Sequence, residues 1–155
     1  MTTLKILVFS DSHRSTANMI QAIEAQQPDH VIHLGDLSDD ARELGYIYPR
    51  LPICSVPGNC DGWTTEPAIK RITLGGKVIL LSHGHLWHVK SDYDTALAQA
   101  RKAQADILLF GHTHRAYCQQ QEDGLWVLNP GSSRKSYGTI QLEGSQCLCT
   151  LTRLI

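Results

Sequence analysis

A pair of histidines in the last third of the sequence has the spacing of metal ligands. His112 and His114 follow an apolar run at residues 107–110 and a glycine, Gly111. In an extended chain, residues i and i+2 lie on the same face, so both imidazoles point into the same space. Imidazole nitrogens are common ligands of divalent transition metals. A single His-x-His pair is weak evidence, so a metal site requires further ligands elsewhere.

Those further ligands follow other apolar runs of strand length. The runs cover residues 5–9, 31–34, 52–56 and 77–81. In an α/β sheet, the ligand crevice lies outside the carboxyl ends of the parallel strands, so these residues are expected to converge at one edge. In chain order, the complete set is Asp11, His13, Asp36, Asn59, His83, His112 and His114.

The elements that must position this set predict an α/β fold. Helices are expected from residue 15 and at residues 93–103, where apolar residues recur at helical spacing, and a short polar helix is expected at residues 39–44. We expect Gly45 to end the second helix and Ser91 with Asp94 to form a capping box on the third. The strand, helix, strand order predicts parallel crossovers. Gly75-Gly76 predicts a hairpin between residues 71–74 and 77–81. Later strands are expected near residues 116–121, 125–128, 137–142 and 147–151.

Composition narrows the class of protein. A chain of 155 residues is expected to form one domain, residues 1–155. Its net charge of -1 makes nucleic acid an unlikely partner. No apolar run is long enough to span a bilayer, so no membrane role is expected. The five cysteines include no Cys-x-x-Cys pair, which favours reduced thiols and a cytoplasmic location. Homo-oligomerisation stays open.

The ligand types indicate the chemistry. Imidazole and carboxylate together suit Mn, Fe, Co, Ni or Zn ions, and the lack of clustered thiolates argues against a structural zinc site. Seven ligands are too many for one tetrahedral ion, so they suit two ions that share a carboxylate. Two ions about 3.5–4 Å apart can hold a bridging hydroxide as nucleophile and clamp the oxygens on phosphorus. The residues therefore predict a binuclear hydrolase.

The ordered motifs resemble the calcineurin-like metallophosphoesterase superfamily, and most of all its small YfcE-like phosphodiesterases. The motifs are Asp11-x-His13, Gly35-Asp36, Gly58-Asn59-x-Asp61, Ser82-His83-Gly84-His85, Gly111-His112-x-His114 and Asn129-Pro130-Gly131-Ser132. The resemblance implies two packed mixed β-sheets flanked by helices, a four-layer sandwich. It implies two divalent ions, Mn first, with Ni, Co, Fe or Zn as alternatives. It also implies that Asp36 bridges a first ion on Asp11, His13 and His114 and a second on Asn59, His83 and His112.

The candidate catalytic residues include one departure from the superfamily pattern. Many members carry a histidine after the asparagine, where it protonates the leaving group; here the position is Cys60. A thiol matches that role less well at neutral pH, so we expect a preference for aryl esters. His85 is the alternative acid. The full candidate catalytic set is Asp36, Asn59, Cys60, Asp61 and His85.

The expected function is metal-dependent hydrolysis of small phosphodiesters. The segments 62–70 and 86–92 are short, which predicts an open site with loose selectivity. Trp63 and Trp87 are candidates for an aromatic rim, and Arg115 for a phosphate contact. The superfamily fold also resembles the small retromer subunit of eukaryotes, a protein-binding scaffold, so a non-catalytic role is the alternative. A phosphomonoester, phosphonate or cyclic nucleotide substrate is a third possibility.

Overall fold

A computed structural model describes residues 3–13, 16–36, 38–59, 61 and 67–154. In this part of the chain the helices are α1 (Thr16–Gln26), α2 (Ser38–Ile47) and α3 (Asp94–Lys102), and a short 3-10 helix covers His85–Trp87. The strands are β1 (Thr3–Phe9), β2 (His30–His33), β3 (Ile53–Ser55), β4 (Ile69–Leu74), β5 (Lys77–Ser82), β6 (Ile107–Leu109), β7 (Tyr117–Gln120), β8 (Trp126–Asn129), β9 (Ser136–Glu143) and β10 (Gln146–Arg153).

The strands form two mixed sheets of five strands each. The first has the order β10-β9-β1-β2-β3, and β1, β2 and β3 run parallel. The second has the order β4-β5-β6-β8-β7, and β5, β6 and β8 run parallel. The predicted hairpin joins β4 to β5, with Leu74 opposite Lys77. The predicted parallel crossovers are present, since α1 links β1 to β2 and α3 links β5 to β6.

Alternating side chains on the central strands produce four layers. In β1, Ile6 and Val8 pack into a core that both sheets share, while Leu7 packs with α1 on the outer face. In the second sheet, Leu108 packs outward against Ala96 of α3. Strands with two apolar faces are expected when a sheet is covered on both sides. The predicted arrangement of two packed mixed sheets flanked by helices is confirmed.

Three local predictions were wrong. Helix α2 does not end at Gly45 but continues to Ile47, because a helical glycine costs only about 1 kcal/mol and buried Leu44 anchors this turn. The residue before α3, Tyr93, makes no side-chain cap, so the predicted capping box is absent. Trp87 is 3% exposed in the core beneath α3 and forms no rim.

Two further expectations from the sequence concern Trp63 and membrane-spanning helices. Trp63 lies outside the described residues, so its place in a rim stays a prediction. Among the described residues, no helix combines the length and apolar character needed to cross a bilayer.

Candidate metal centre

Six of the seven predicted ligands, all but Asn59, meet where the carboxyl ends of the parallel strands of the two sheets face each other. β1 and β2 deliver Asp11, His13 and Asp36 from the first sheet, while β5 and β6 deliver the histidines of the second. Two hydrogen bonds cross between the sheets here: the His112 amide donates to Asp11 Oδ2 (3.0 Å), and His83 Nδ1 donates to the Leu34 carbonyl (2.8 Å). The strand pattern alone predicted a site along the edge of one sheet. The site lies instead between two sheets.

Four of the predicted ligands form a compact group. One ligand atom from each of Asp11, His13, Asp36 and His114 lies within 4.8 Å of all the others. Within the described part of the chain, Asp11 Oδ1 and His13 Nε2 are buried without a hydrogen-bond partner. An unpaired polar atom is costly to bury, and a divalent cation would satisfy both atoms. The oxygen and nitrogen donors suit the transition ions named above, so these residues fit a metal.

Asp11 is oriented by its neighbours. Its Oδ2 accepts hydrogen bonds from Ser10 Oγ (2.7 Å) and from the His112 amide (3.0 Å). Its Oδ1 lies 3.3 Å from His114 Nε2. Ligand carboxylates in metal sites are held by outer hydrogen bonds of this kind, which fix the oxygen that faces the ion. Asp11 thus presents Oδ1 to the ligand group.

His83 is fully buried beside this group. Because the Leu34 carbonyl can only accept a hydrogen bond, Nδ1 of His83 carries a proton. In the neutral form of the ring, Nε2 is then unprotonated and can serve as a ligand atom. Nε2 lies 3.4 Å from Asp36 Oδ2 and 3.2 Å from His112 Nδ1. Burial opposes protonation, but the hydrogen bond with Asp36 and the charges of Asp11 and Asp36 outweigh it and raise the pKa of His83. Burial and the charge of His83 lower the pKa of His112.

The loop after β3 holds the remaining motif residues. Asn59 is exposed in a turn closed by Asp61, whose Oδ2 accepts the Gly58 amide (2.7 Å) and whose amide donates to the Gly58 carbonyl (3.2 Å). These bonds give Asp61 a part in shaping the turn that carries Asn59. Cys60 lies outside the described residues. The roles assigned to these three residues stay predictions.

His85 lies beside two imidazoles of the second sheet, the buried His83 and the partly buried His112. Its ring centroid is 5.6 Å from that of His83 and 6.2 Å from that of His112. Burial and the charge of His83 lower the pKa of His85. Its Nδ1 is buried without a hydrogen-bond partner in the described part of the chain. The ring is therefore within reach of the site, as its candidate role requires.

The backbone at the ligands is unusual. Eight non-glycine residues in the described ranges have positive φ, and five are predicted ligands: Asp11, His13, Asp36, His112 and His114. Each such residue costs about 1–2 kcal/mol relative to ordinary backbone, and such strain persists where the surrounding structure imposes it. Its concentration at one end of the sheets marks this end as a functional site.

A buried hydrogen-bond chain supports two ligand loops, and sequence reasoning had not assigned it. His33 Nδ1 accepts the Gly35 amide (3.1 Å), so its Nε2 carries the proton and donates to Ser12 Oγ (2.9 Å). Ser12 in turn donates to Asp40 Oδ2 (2.5 Å). Burial lowers the pKa of His33 to about 4 despite the charge of Asp40, so the ring is neutral near pH 7. Because its hydroxyl proton is directed to Asp40, Ser12 links His33 and Asp40 structurally and is not an activated nucleophile.

A four-layer fold with a histidine and carboxylate group between its sheets defines a metal-binding α/β protein. The family profile described as the calcineurin-like phosphoesterase superfamily domain matches residues 4–152. The chain belongs to this superfamily, which confirms the resemblance drawn from the motifs. "Probable metallophosphoesterase YsnB" of Bacillus subtilis is 32% identical over 150 residues, covering 90% of this chain and 85% of that protein.

Solved structures agree on the fold. A predicted phosphoesterase from Streptococcus pneumoniae TIGR4 superposes with a TM-score of 0.80 and 25% identity, covering 99% of this chain and 91% of that one. Wild-type Vps29 from Entamoeba histolytica, solved in complex with Zn²⁺, superposes with a TM-score of 0.76 and 22% identity, covering 97% and 99% of the two chains. The second likeness concerns the fold alone.

Proposed function

We propose that this chain is a phosphodiesterase that works with two divalent ions on small phosphoesters. The observation that carries the proposal is the approach of Asp11, His13, Asp36 and His114 to within 4.8 Å, at the junction of the two sheets. Divalent ions in such a site polarise phosphoryl oxygens and lower the pKa of a water molecule. Superfamily membership supports the phosphoester class of substrate.

The proposed division of ligands follows the motifs. Asp11, His13 and His114 would hold a first ion, Asn59, His83 and His112 would hold a second, and Asp36 would serve both. The 3.4 Å approach of His83 Nε2 to Asp36 Oδ2 supports the shared role, because it brings a second-ion ligand beside the common carboxylate. Manganese is the ion we expect first, with Ni, Co, Fe and Zn as alternatives.

The residues themselves supply charge and orientation. The buried carboxylates of Asp11 and Asp36 balance the charge of bound cations and so favour their capture in a buried site. Cys60 or His85 is proposed to deliver a proton to the leaving alcohol. Location in the cytoplasm, a single domain over residues 1–155 and the oligomeric state remain predictions from the sequence.

The decisive experiment compares bis-p-nitrophenyl phosphate with p-nitrophenyl phosphate. Metal-stripped protein is assayed after separate addition of Mn, Ni, Co, Zn or Mg, and bound metal is counted by mass spectrometry. We expect metal-dependent turnover of the diester, two ions per chain, and loss of turnover and of at least one ion in Asp36→Ala. Turnover of the monoester alone would show that the substrate is a phosphomonoester and not a phosphodiester.

A non-catalytic scaffold is the second candidate. It follows from the resemblance of the superfamily fold to the small retromer subunit of eukaryotes, since a shared fold does not determine a shared function. Against it, this chain has a ligand-type residue at each of the seven motif positions. Bound ions without turnover of any phosphoester would favour the scaffold, and the search would then turn to a protein partner.

A further inference from the structure

A pocket adjoins the proposed metal centre and is lined by positive charge. Its volume is about 450 Å³, within the range of small-molecule sites. One wall is the segment of residues 89–93, and the other is provided by Thr113 and Arg115. Thr113 lies between the two histidines of the His-x-His motif, and Arg115 directly follows them. The pocket and the proposed ligands therefore share one loop.

A second connection joins the pocket to His83. Val89, which lines the pocket, packs against Gly84, the residue after His83: a Cβ added at Gly84 would lie 2.8 Å from Val89 Cγ2. Gly84 also has φ +112°, a conformation that favours glycine. The pocket lining therefore lies beside both loops of the second sheet that carry proposed ligands.

The pocket walls are firmly held. The Tyr93 ring packs 4.9 Å from Phe110 and 5.1 Å from Tyr117, measured between ring centroids. Thr113 Oγ1 accepts hydrogen bonds from Asn129 Nδ2 (2.9 Å) and the Arg115 amide (3.0 Å). A ligand would therefore enter a surface that is already shaped, which lowers the entropic cost of binding.

The charges of the pocket favour an anion. Lys90 and Arg115 contribute two cationic groups against the single carboxylate of Asp92. That carboxylate is partly engaged, because its Oδ1 accepts the Asp94 amide at the start of α3 (3.0 Å). The cations are exposed, so they can reach a ligand that is partly in solvent.

We propose that this pocket holds a second phosphate group on the substrate, so that the preferred esters are small phosphodiesters with one alcohol portion phosphorylated elsewhere. This inference rests on the proposed phosphodiesterase function and adds its substrate class. Lys90 and Arg115 would bind the second phosphate while the scissile phosphate lies at the metal centre. Guanidinium and ammonium groups are the usual protein partners of phosphate.

The test uses two esters that differ by one phosphate: thymidine 5′-(p-nitrophenyl phosphate) and its 3′-phosphorylated derivative. We expect a wild-type ratio of kcat/KM on the order of tenfold in favour of the second ester, since two exposed charge contacts each contribute a few-fold. The preference should decline with added salt. Lys90→Ala and Arg115→Ala should each lower the ratio, Lys90→Arg should retain it, and Lys102→Ala, an exposed cation on α3, is the matched control.

A binding measurement separates this inference from the proposed function. Thymidine 3′,5′-bisphosphate and thymidine are titrated into metal-free protein by calorimetry, with Lys90→Ala and Arg115→Ala beside the wild type. Turnover of both esters at equal rates would overturn the second-phosphate pocket and leave the phosphodiesterase standing. If neither ester is hydrolysed with any metal, the proposed function fails and binding decides the pocket. Bisphosphate binding lost in both variants would support it, and equal affinity for thymidine would refute it.

Discussion

Replacing Gly58 by alanine should disable the proposed metal centre without changing any ligand. A Cβ at this position would lie 2.5 Å from the Asp36 backbone nitrogen, whereas ordinary contacts begin at 3.4 Å. The Asp36 carboxylate also lies in its path. Because backbone and not a flexible side-chain end is in the way, the loop that carries Asp36 must move by about 1 Å, far beyond the roughly 0.2 Å tolerance of metal–ligand distances.

The expected magnitudes follow from that displacement. We expect Gly58→Ala to weaken Mn²⁺ binding by at least about 10–100-fold, the usual effect of disturbing the residues that support a ligand. Overpacking should lower the free energy of unfolding of the metal-free protein by about 1–3 kcal/mol. The measurements are calorimetric titration with Mn²⁺ and urea denaturation in the presence of a chelator.

Gly45 provides the matched control for this substitution. It lies within α2, and an added Cβ would meet nothing within 4 Å. Gly45→Ala should therefore raise the free energy of unfolding by about 0.5–1 kcal/mol and leave Mn²⁺ affinity unchanged. Wild-type Mn²⁺ affinity in Gly58→Ala would show that the contact between the loops of β2 and β3 does not position Asp36, and would refute the reasoning.

Three further outcomes are expected. Ser12→Ala should lower the free energy of unfolding by about 1–3 kcal/mol in urea denaturation, because Asp40 and His33 both lose a buried hydrogen-bond partner; a smaller loss than in an exposed control such as Ser145→Ala would contradict this. The depressed pKa of His33 means that the unfolded chain binds a proton between about pH 6.5 and pH 4 while the folded chain does not, so wild-type stability should fall as the pH falls through this window, by at most about 1.4 kcal/mol per pH unit. Urea midpoints of His33→Gln should lack this component of the slope, and parallel curves for the two proteins would exclude it. His85→Ala should reduce turnover of alkyl phosphodiesters more than that of nitrophenyl esters if His85 is the proton donor, and equal losses would remove it from that role.

The positions of the strand ends could be predicted because short apolar runs in the sequence mark the buried strands. Each buried strand is a short apolar run, and the residue type after it is visible in the sequence. The parallel order of β1, β2 and β3 followed from the helices between them. The resemblance implied two packed sheets, but the division of the ligands between them was not predicted, since apolar runs do not specify which sheet a strand joins.

Contacts between distant residues were not predictable from one sequence. His33 and Asp40 lie 21 and 28 positions after Ser12, and each of the three is an ordinary residue in its own segment. The apolar strand around His33 favours burial of its ring, but the partners of that ring have no spacing that identifies them. The pocket cation Lys90 was missed for the same reason, because an isolated lysine in a turn carries no pattern.

Local end effects explain the errors at the helices. Ser91 and Asp94 have capping-box spacing, yet the Ser91 amide donates to the His88 carbonyl (3.0 Å) within a turn. Asp92 then accepts the first amide of α3 in its place. Several side chains near a helix start compete for the same amides, so the motif alone does not determine which of them caps.

Because the ligands are divided between the sheets, metal binding should occur only after both sheets have folded and docked. The first sheet supplies Asp11 and Asp36, but His83 and His114 belong to the second, and His114 lies 103 positions after Asp11. A nascent polypeptide cannot complete the centre until that region has been synthesised and the two halves have docked. A captured ion would then cross-link segments remote in sequence, and so would slow separation of the halves most at the end where they meet.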